Sequence, residues 1–399
     1  MSDPFPIGFR GAAVHCGLKE NPENPDLSLL VSDRPAVGVG VYTQNLVKAA
    51  PVLLDQQRTP SDSVRAVIIN AGIANACTGE QGDRDAARMA ELAAEQTDVD
   101  PNDVLVLSTG VIGEHLPMDK LAAATPTVAE QLSDDPESLV LAARGMMTTD
   151  TVHKVRSRVF TVDGQQITIT GVAKGAAMIG PNLATMLGVI MTDAKTESAD
   201  AQAALAEAVA ESFNCISVDG HTSTNDTVLL LANGAAAPDA TPLEGKGLTD
   251  FRATLLEVCE DLAISIPADG EGATHLITVE VHGCESKEAA QRIAKTVADS
   301  PLVKTAVAGA DPNWGRIVSA AGYAEVPFDP SEVTLLINGL LVYEKGSPAP
   351  FDEAAVSESI RSQKDTLLVL LLGEGKASAR FWTTDLTTEY VRLNAEYRT

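Results

Sequence analysis

Between residues 173 and 192 the chain reads A-K-G-A-A-M-I-G-P-N-L-A-T-M-L-G-V-I-M-T, small residues and a Gly-Pro-Asn corner leading into an apolar stretch that begins at Thr185. An internal threonine is a weak nucleophile because no base stands beside its hydroxyl. If the peptide bond before it is cut, the freed α-amine, with an ordinary pKa of about 7.7–8.0, becomes the base for that residue's own hydroxyl. Such a nucleophile needs a tight approach, a nearby cation or donor, and a rigid strand that holds the new N-terminus. Gly180-Pro181-Asn182, Lys174 and the apolar run behind Thr185 answer to these three needs. Pattern alone leaves a plainer reading open, since β-branched threonines often start strands and Gly-Pro-Asn is a common turn.

The elements that would position this stretch are readable from periodicity. M-L-G-V-I-M-T is apolar on both faces, which predicts a strand buried on both sides in a layered α/β structure. Just upstream, V-R-S-R-V-F-T-V and Q-Q-I-T-I-T-G-V flank Asp163-Gly164, the strongest short hairpin signal. Short β-rich runs between 28 and 110 are separated by turns and by a helix near 83–96. Further helices are predicted near 200–213, near 249–263 with Phe251, Leu255, Val258, Cys259 and Leu262 along one stripe, and near 286–298 before Pro301. From about 284 to 399 helices and short strands alternate. The fold class is therefore α+β, a layered α/β sandwich core with a smaller C-terminal α+β lobe.

Composition narrows the function classes. Lys and Arg number 29 against 55 Asp and Glu, a net charge of -26, and such a field repels nucleic acid and anionic membrane surfaces. A carboxylate-bearing substrate must then be held by local cations, for which Lys174 and Arg316 are candidates. The five cysteines, Cys16, Cys77, Cys215, Cys259 and Cys284, lack the spacing of a zinc or redox site and read as reduced, mostly buried fillers. The N-terminus has an acid and two prolines where a signal peptide needs a basic patch and an apolar core. The longest apolar run, T-L-L-V-L-L-L at 366–372, falls well short of the roughly 20 residues of a membrane span, so a cytoplasmic protein is expected.

A-K-G-A-A-M-I-G-P-N-L-A-T-M-L also closely resembles the self-cleavage signature of the ornithine acetyltransferases, or glutamate N-acetyltransferases, of the bifunctional arginine biosynthesis family. The resemblance runs along nearly the whole chain. It includes V-K-A-A-P-V at 47–52, N-A-G-I-A-N-A-C-T-G at 70–79, S-T-G-V-I-G at 108–113 and M-T-T-D-T at 147–151. It continues through S-F-N-C-I-S-V-D-G at 212–220, T-S-T-N-D-T at 222–227, D-G-E-G-A-T at 269–274, D-P-N-W-G-R at 311–316 and D-L-T-T-E-Y-V-R-L-N at 385–394.

The resemblance implies an N-terminal-nucleophile fold in which the chain cuts itself between Ala184 and Thr185, giving an α chain of 1–184 and a β chain of 185–399. Thr185 would then attack the acetyl group of N-acetylornithine and pass it to glutamate in a ping-pong transfer. Thr109 and Gly110 match the family's oxyanion-hole pair. Thr148, Lys174, Glu271, Asn394 and the terminal Thr399 match its substrate contacts, with Thr149 an alternative to Thr148. The resemblance further implies α and β chains paired into a heterotetramer and no bound cofactor or metal, with acetyl-CoA as a second acetyl donor in bifunctional members. A self-cleaving amidase or aminopeptidase on a related scaffold is the competing class. His221, His275 and Thr384 depart from the family pattern, and surface variation is the simplest account of the two histidines.

Overall fold

The computed structural model describes residues 3–180, 186–373 and 375–396. They fall into two units, one holding the chain up to Asn214 with Thr222–Ser265, the other holding Cys215–His221 and the chain from Ile266 onward.

In the first unit, strands β1 (Phe9–Val14), β2 (Leu27–Tyr42), β3 (Ser61–Ile73), β4 (Val104–Val111), β5 (Lys154–Val162), β6 (Gln165–Lys174) and β7 (Leu187–Thr192) join β9 (Thr227–Ala232) in one mixed sheet. Its order is β4-β3-β2-β9-β7-β6-β5, with β1 paired to β2. The expected hairpin is β5–β6: Val162 faces Gln165, and Asp163 and Gly164 both take positive φ, as a tight two-residue turn requires. Every described residue of β7 is buried, and it runs parallel to β9 and antiparallel to β6.

Both faces of this sheet are covered at β3 and β4, which is why residues 67–69 and 104–107 are apolar on both sides. Val67, Ile69, Leu105 and Leu107 enter one core cluster with Val52 of α1 (Ala50–Arg58) and Leu139 of α4 (Pro136–Gly145). The alternate residues Ile68, Val104 and Val106 meet Met89 of α2 (Gly79–Thr97) and Leu121 of α3 (Met118–Glu130). With aromatics at only 4%, close approach replaces bulk. A Cβ on Gly171 of β6 would stand 2.6 Å from Leu262 of α6 (Gly245–Ala268), and the five predicted stripe residues of that helix are all buried. Helix α5 (Ser198–Glu211) packs on β2 and β9.

β4 ends the sheet on its side, and α1 caps its open edge. Asp55 accepts from Val106 N–H through both carboxylate oxygens at 2.9 and 3.2 Å, while Arg58 Nη1 donates to Val104 O at 2.5 Å. Burial pushes the Asp55 carboxyl well above its ordinary pKa, against the pull of the Val106 N–H and of Arg58.

The second unit is a sheet of order β13-β12-β11-β14-β10-β15-β8. Its strands are β8 (Ile216–Ser217), β10 (Leu276–Cys284), β11 (Thr334–Ile337), β12 (Leu340–Glu344), β13 (Ser347–Pro348), β14 (Asp365–Leu371) and β15 (Ala377–Thr384). Helices α7 (Lys287–Asp299), α8 (Pro301–Ala308), α9 (Trp314–Gly322), α10 (Glu353–Arg361) and α11 (Thr388–Glu396) accompany it. This unit begins earlier than the expected lobe at about 284, because β10 pairs with both β14 and β15. It also reclaims Cys215–His221: β8 pairs with β15, and buried Lys304 Nζ donates to Val218 O at 2.5 Å and to Thr383 Oγ1 at 2.9 Å. No helix among the described residues is long and apolar enough to cross a membrane.

The edge cap gives a stability test. Asp55→Ala leaves the Val106 N–H buried without an acceptor and should cost about 1–3 kcal/mol, read as a lower midpoint of urea unfolding. Asp55→Asn keeps an acceptor oxygen and loses less. Because burial raises the folded-state pKa of Asp55, wild-type stability falls as pH climbs through that value, and Asp55→Asn escapes this loss.

Candidate active site

The S-T-G turn at the end of β4 is built by close backbone approach. β4 runs parallel to β3 until Gly72 and Ile73, where the pairing becomes irregular and Ile73 faces both Thr109 and Val111. Gly110 has φ +132°, and a Cβ there would lie 2.1 Å from the carbonyl carbon of Gly72. Only glycine fits, so the turn presents bare backbone beside buried Thr109.

Lys174, the last residue of β6, is 2% exposed, and its Nζ donates to Thr109 Oγ1 at 3.1 Å. A buried ammonium needs a counter-charge, which Asp150 supplies. The Asp150 carboxylate is closed in by Lys154 Nζ at 2.7 Å, Gly175 N–H at 2.7 Å and Thr148 N–H at 3.1 Å. Burial alone would raise its pKa, but Lys174, Lys154 and these hydrogen bonds prevail and bring it down to about 2. Two buried lysines therefore share one ionised aspartate.

A second polar group enters from the T-S-T-N-D-T segment. Asn225 Nδ2 donates to Ala74 O at 2.7 Å and to Ser108 O at 2.8 Å, pinning the loop to the residue just before Thr109. Thr43 Oγ1 donates to Ser223 O, and Ala49 N–H to Thr224 O, which fixes the same loop from the other side. Asp226 Oδ1 accepts from Met186 N–H at 3.2 Å, while its Oδ2 is buried with no partner among the described residues. Burial drives this carboxyl far above its ordinary pKa, against hydrogen bonds from Met186 and Ser223 and the charge of Lys174. Asp150, Asn225 and Asp226 were not among the residues singled out from sequence. They sit in M-T-T-D-T and T-S-T-N-D-T, motifs read only as resemblance, and nothing local in the sequence shows that these polar runs are buried.

The second unit brings Glu271 and Asn394 together. Asn394 Nδ2, on α11, donates to Glu271 Oε2 at 2.8 Å. The helix is seated on the D-G-E-G turn: Thr387 Oγ1 donates to Gly272 O at 2.7 Å, and a Cβ on Gly272 would stand 2.5 Å from Tyr390 N. Ala184, Thr185 and Thr399 lie outside the described residues.

Other expectations resolve differently. Arg316 joins neither group, since its guanidinium donates to Leu302 O at 3.0 Å. His275 is no surface variant; it is buried, with Nδ1 2.9 Å from Asp385 Oδ2 and Nε2 3.2 Å from Ile360 O. His221 is exposed, and Thr384 is buried with its hydroxyl donating to Asp385 O. All five cysteines are free; three are buried, Cys16 is half-buried and Cys77 is exposed. Among the described residues no three His, Cys, Asp or Glu side chains gather as metal ligands.

A model of the ArgJ family matches residues 10–399. The arginine biosynthesis bifunctional protein ArgJ of Rhodopirellula baltica is 46% identical over 399 residues, covering 100% of this chain and 97% of that protein. The protein of the same name from Bacillus subtilis is 43% identical over 395 residues, covering 99% and 96%. The crystal structure of arginine biosynthesis bifunctional protein ArgJ from Bacillus halodurans is similar with a TM-score of 0.51 at 37% identity, covering 52% of this chain and 98% of that one.

The buried ion cluster predicts a large loss on breaking it. Asp150→Ala strands Lys154 without its partner and should cost about 3–5 kcal/mol in urea unfolding at neutral pH. Since the folded carboxyl titrates at about 2 and the ordinary one at 3.8, the stability it contributes is present above 3.8 and lost as pH falls toward 2. The gap between wild type and Asp150→Asn should therefore narrow across that window.

Proposed function

The chain belongs to the ArgJ family, and we propose that it transfers the acetyl group of N2-acetyl-L-ornithine to L-glutamate through an acetyl ester on Thr185, after cutting itself between Ala184 and Thr185. The observation that carries this reading is the bond from Lys174 to Thr109. An ammonium can only donate, so the Thr109 hydroxyl oxygen must accept, and its own hydrogen is left to point elsewhere. That hydrogen and the bare backbone at Gly110 are the donors a tetrahedral oxyanion needs, each worth about 2.7–4 kcal/mol by mutational precedent.

The steps follow from this arrangement. The α-amine of Thr185 takes the proton of its own hydroxyl as the oxygen attacks the acetyl carbon, and the oxyanion forms against Thr109 and Gly110. Collapse breaks the amide bond, the proton passes to the departing amine, and ornithine leaves. The amine of glutamate then attacks the ester, its surplus proton returns to the Thr185 oxygen, and N-acetylglutamate is released. Asp226 anchors the N–H of Met186, the residue immediately after the nucleophile. Glu271, aligned by Asn394, is the natural partner of ornithine's side-chain ammonium. Thr148, Lys174 and Thr399 complete the proposed substrate contacts.

The half-length match supports the cut: 98% of the solved Bacillus halodurans chain corresponds to 52% of this one, close to the share that 185–399 represents. The two products are proposed to remain paired as α and β chains in a heterotetramer. The reaction requires no bound cofactor. The relatives' name, bifunctional, supports a second activity, for which acetyl-CoA is the proposed donor.

On a denaturing gel the purified protein should give two bands that together account for 41.7 kDa, whereas Thr185→Ala should give one and transfer no acetyl. A single persistent band in wild type would overturn the cleavage. Supplying N-acetylornithine with and without glutamate, and then acetyl-CoA with glutamate, separates the chemistries: acetate release independent of glutamate would make the enzyme an amidase.

A further inference from the structure

A cavity of about 250 Å³ opens beside Asp150, lined by Lys19, Arg144, Thr148 and His153. Its charge is unusual for a chain carrying -26. Among the described residues the only carboxylate in its lining is Asp150, whose oxygens are already taken by Lys154, Gly175 and Thr148. Arg144, at the end of α4, has no carboxylate partner among the described residues. Among the described residues Lys19 Nζ makes one hydrogen bond, to Pro25 O at 2.5 Å, and an ammonium has three donors.

The Lys19 ammonium is held in place rather than trailing from a loose loop. Asp26 accepts from the backbone N–H groups of Cys16, Leu18 and Lys19 at 2.5, 2.7 and 2.9 Å, which fixes the turn that carries it. Burial, joined by repulsion from Lys174, brings the Lys19 pKa down to about 8 despite Asp26 and Asp150. Its charge is thus under-compensated where it stands, and an anion in the cavity would relieve that.

The chemistry of the two amino acids decides which anion. If the proposed function holds, both carry an α-carboxylate one carbon from the reacting amine, so it must lie near the reacting centre. They differ at the far end, where ornithine ends in an ammonium and glutamate in a carboxylate. We propose that this cavity binds the side-chain carboxylate of a dicarboxylic amino-acid acceptor through Arg144 and Lys19, and so selects the acceptor. The same two cations repel the distal ammonium of the donor.

The test compares glutamate with glutamine as acceptor, in wild type, Arg144→Ala and Lys19→Met, with N-acetylornithine as donor. Each variant should raise the KM for glutamate about tenfold, the loss of one charge-assisted contact, while kcat/KM for glutamine changes far less, so the preference collapses. An unchanged preference overturns the proposal. Equal rises in KM for glutamate and for N-acetylornithine also overturn it, by assigning the cavity to the shared α-carboxylate, as does an effect confined to acetyl-CoA. If wild type transfers nothing to glutamate, the function proposed above fails, and calorimetric binding of glutarate decides the cavity separately. Binding that is lost in Arg144→Ala sustains the cavity, and absent or unaltered binding refutes it.

Discussion

An ammonium buried to 2% exposure is the constraint around which the first unit is arranged. Lys174 could not stay charged at the end of β6 without a compensating carboxylate, and Asp150 could not stay ionised without cations close by. Lys154, Gly175 and Thr148 close the remaining valences of that carboxylate. The backbone on either side of the ion cluster is thereby fixed: the M-T-T-D-T turn before β5 and the start of the A-K-G-A-A stretch after β6. With its own geometry set, Lys174 can hold the Thr109 hydroxyl in one orientation.

Chain segments far apart in sequence have to meet for this to happen. β4 brings Thr109 from one end of the sheet, β6 brings Lys174 from near the other, and the loop before β9 supplies Asn225 and Asp226 between them. Asn225 is the peg, since its amide bridges carbonyls on Ala74 and Ser108. The sheet order β4-β3-β2-β9-β7-β6-β5 places the start of β9 beside the start of β7, so Asp226 can reach Met186. Rigidity of a two-sided sheet lets side chains that come from distant strands be held in one geometry.

The acidic composition sharpens the meaning of each inward cation. With 55 acids against 29 bases, Lys154, Lys174 and Lys304 are nonetheless spent inside the fold, each against named acceptors. The half-buried Lys19, and Arg144, which has no carboxylate partner among the described residues, face the cavity beside Asp150. In the second unit the polarity reverses, with Glu271 presented by a glycine turn and steadied by Asn394.

Local order was legible in the sequence. The Asp163-Gly164 hairpin, the fully buried β7, the stripe of α6 and the α7 helix before Pro301 each depend on residues within a few positions of one another, so periodicity and turn chemistry determine them. The ordered motifs likewise singled out Thr109 and Lys174, whose side chains the structure brings into hydrogen-bond contact. Tertiary structure alone decided the rest. The Lys174–Thr109 bond spans 65 positions and the Asn225–Ser108 bond 117, and His275 found Asp385 across 110. No local pattern encodes such meetings, because strand order and register choose which distant polar groups share a buried volume, and burial then decides which of them must pair.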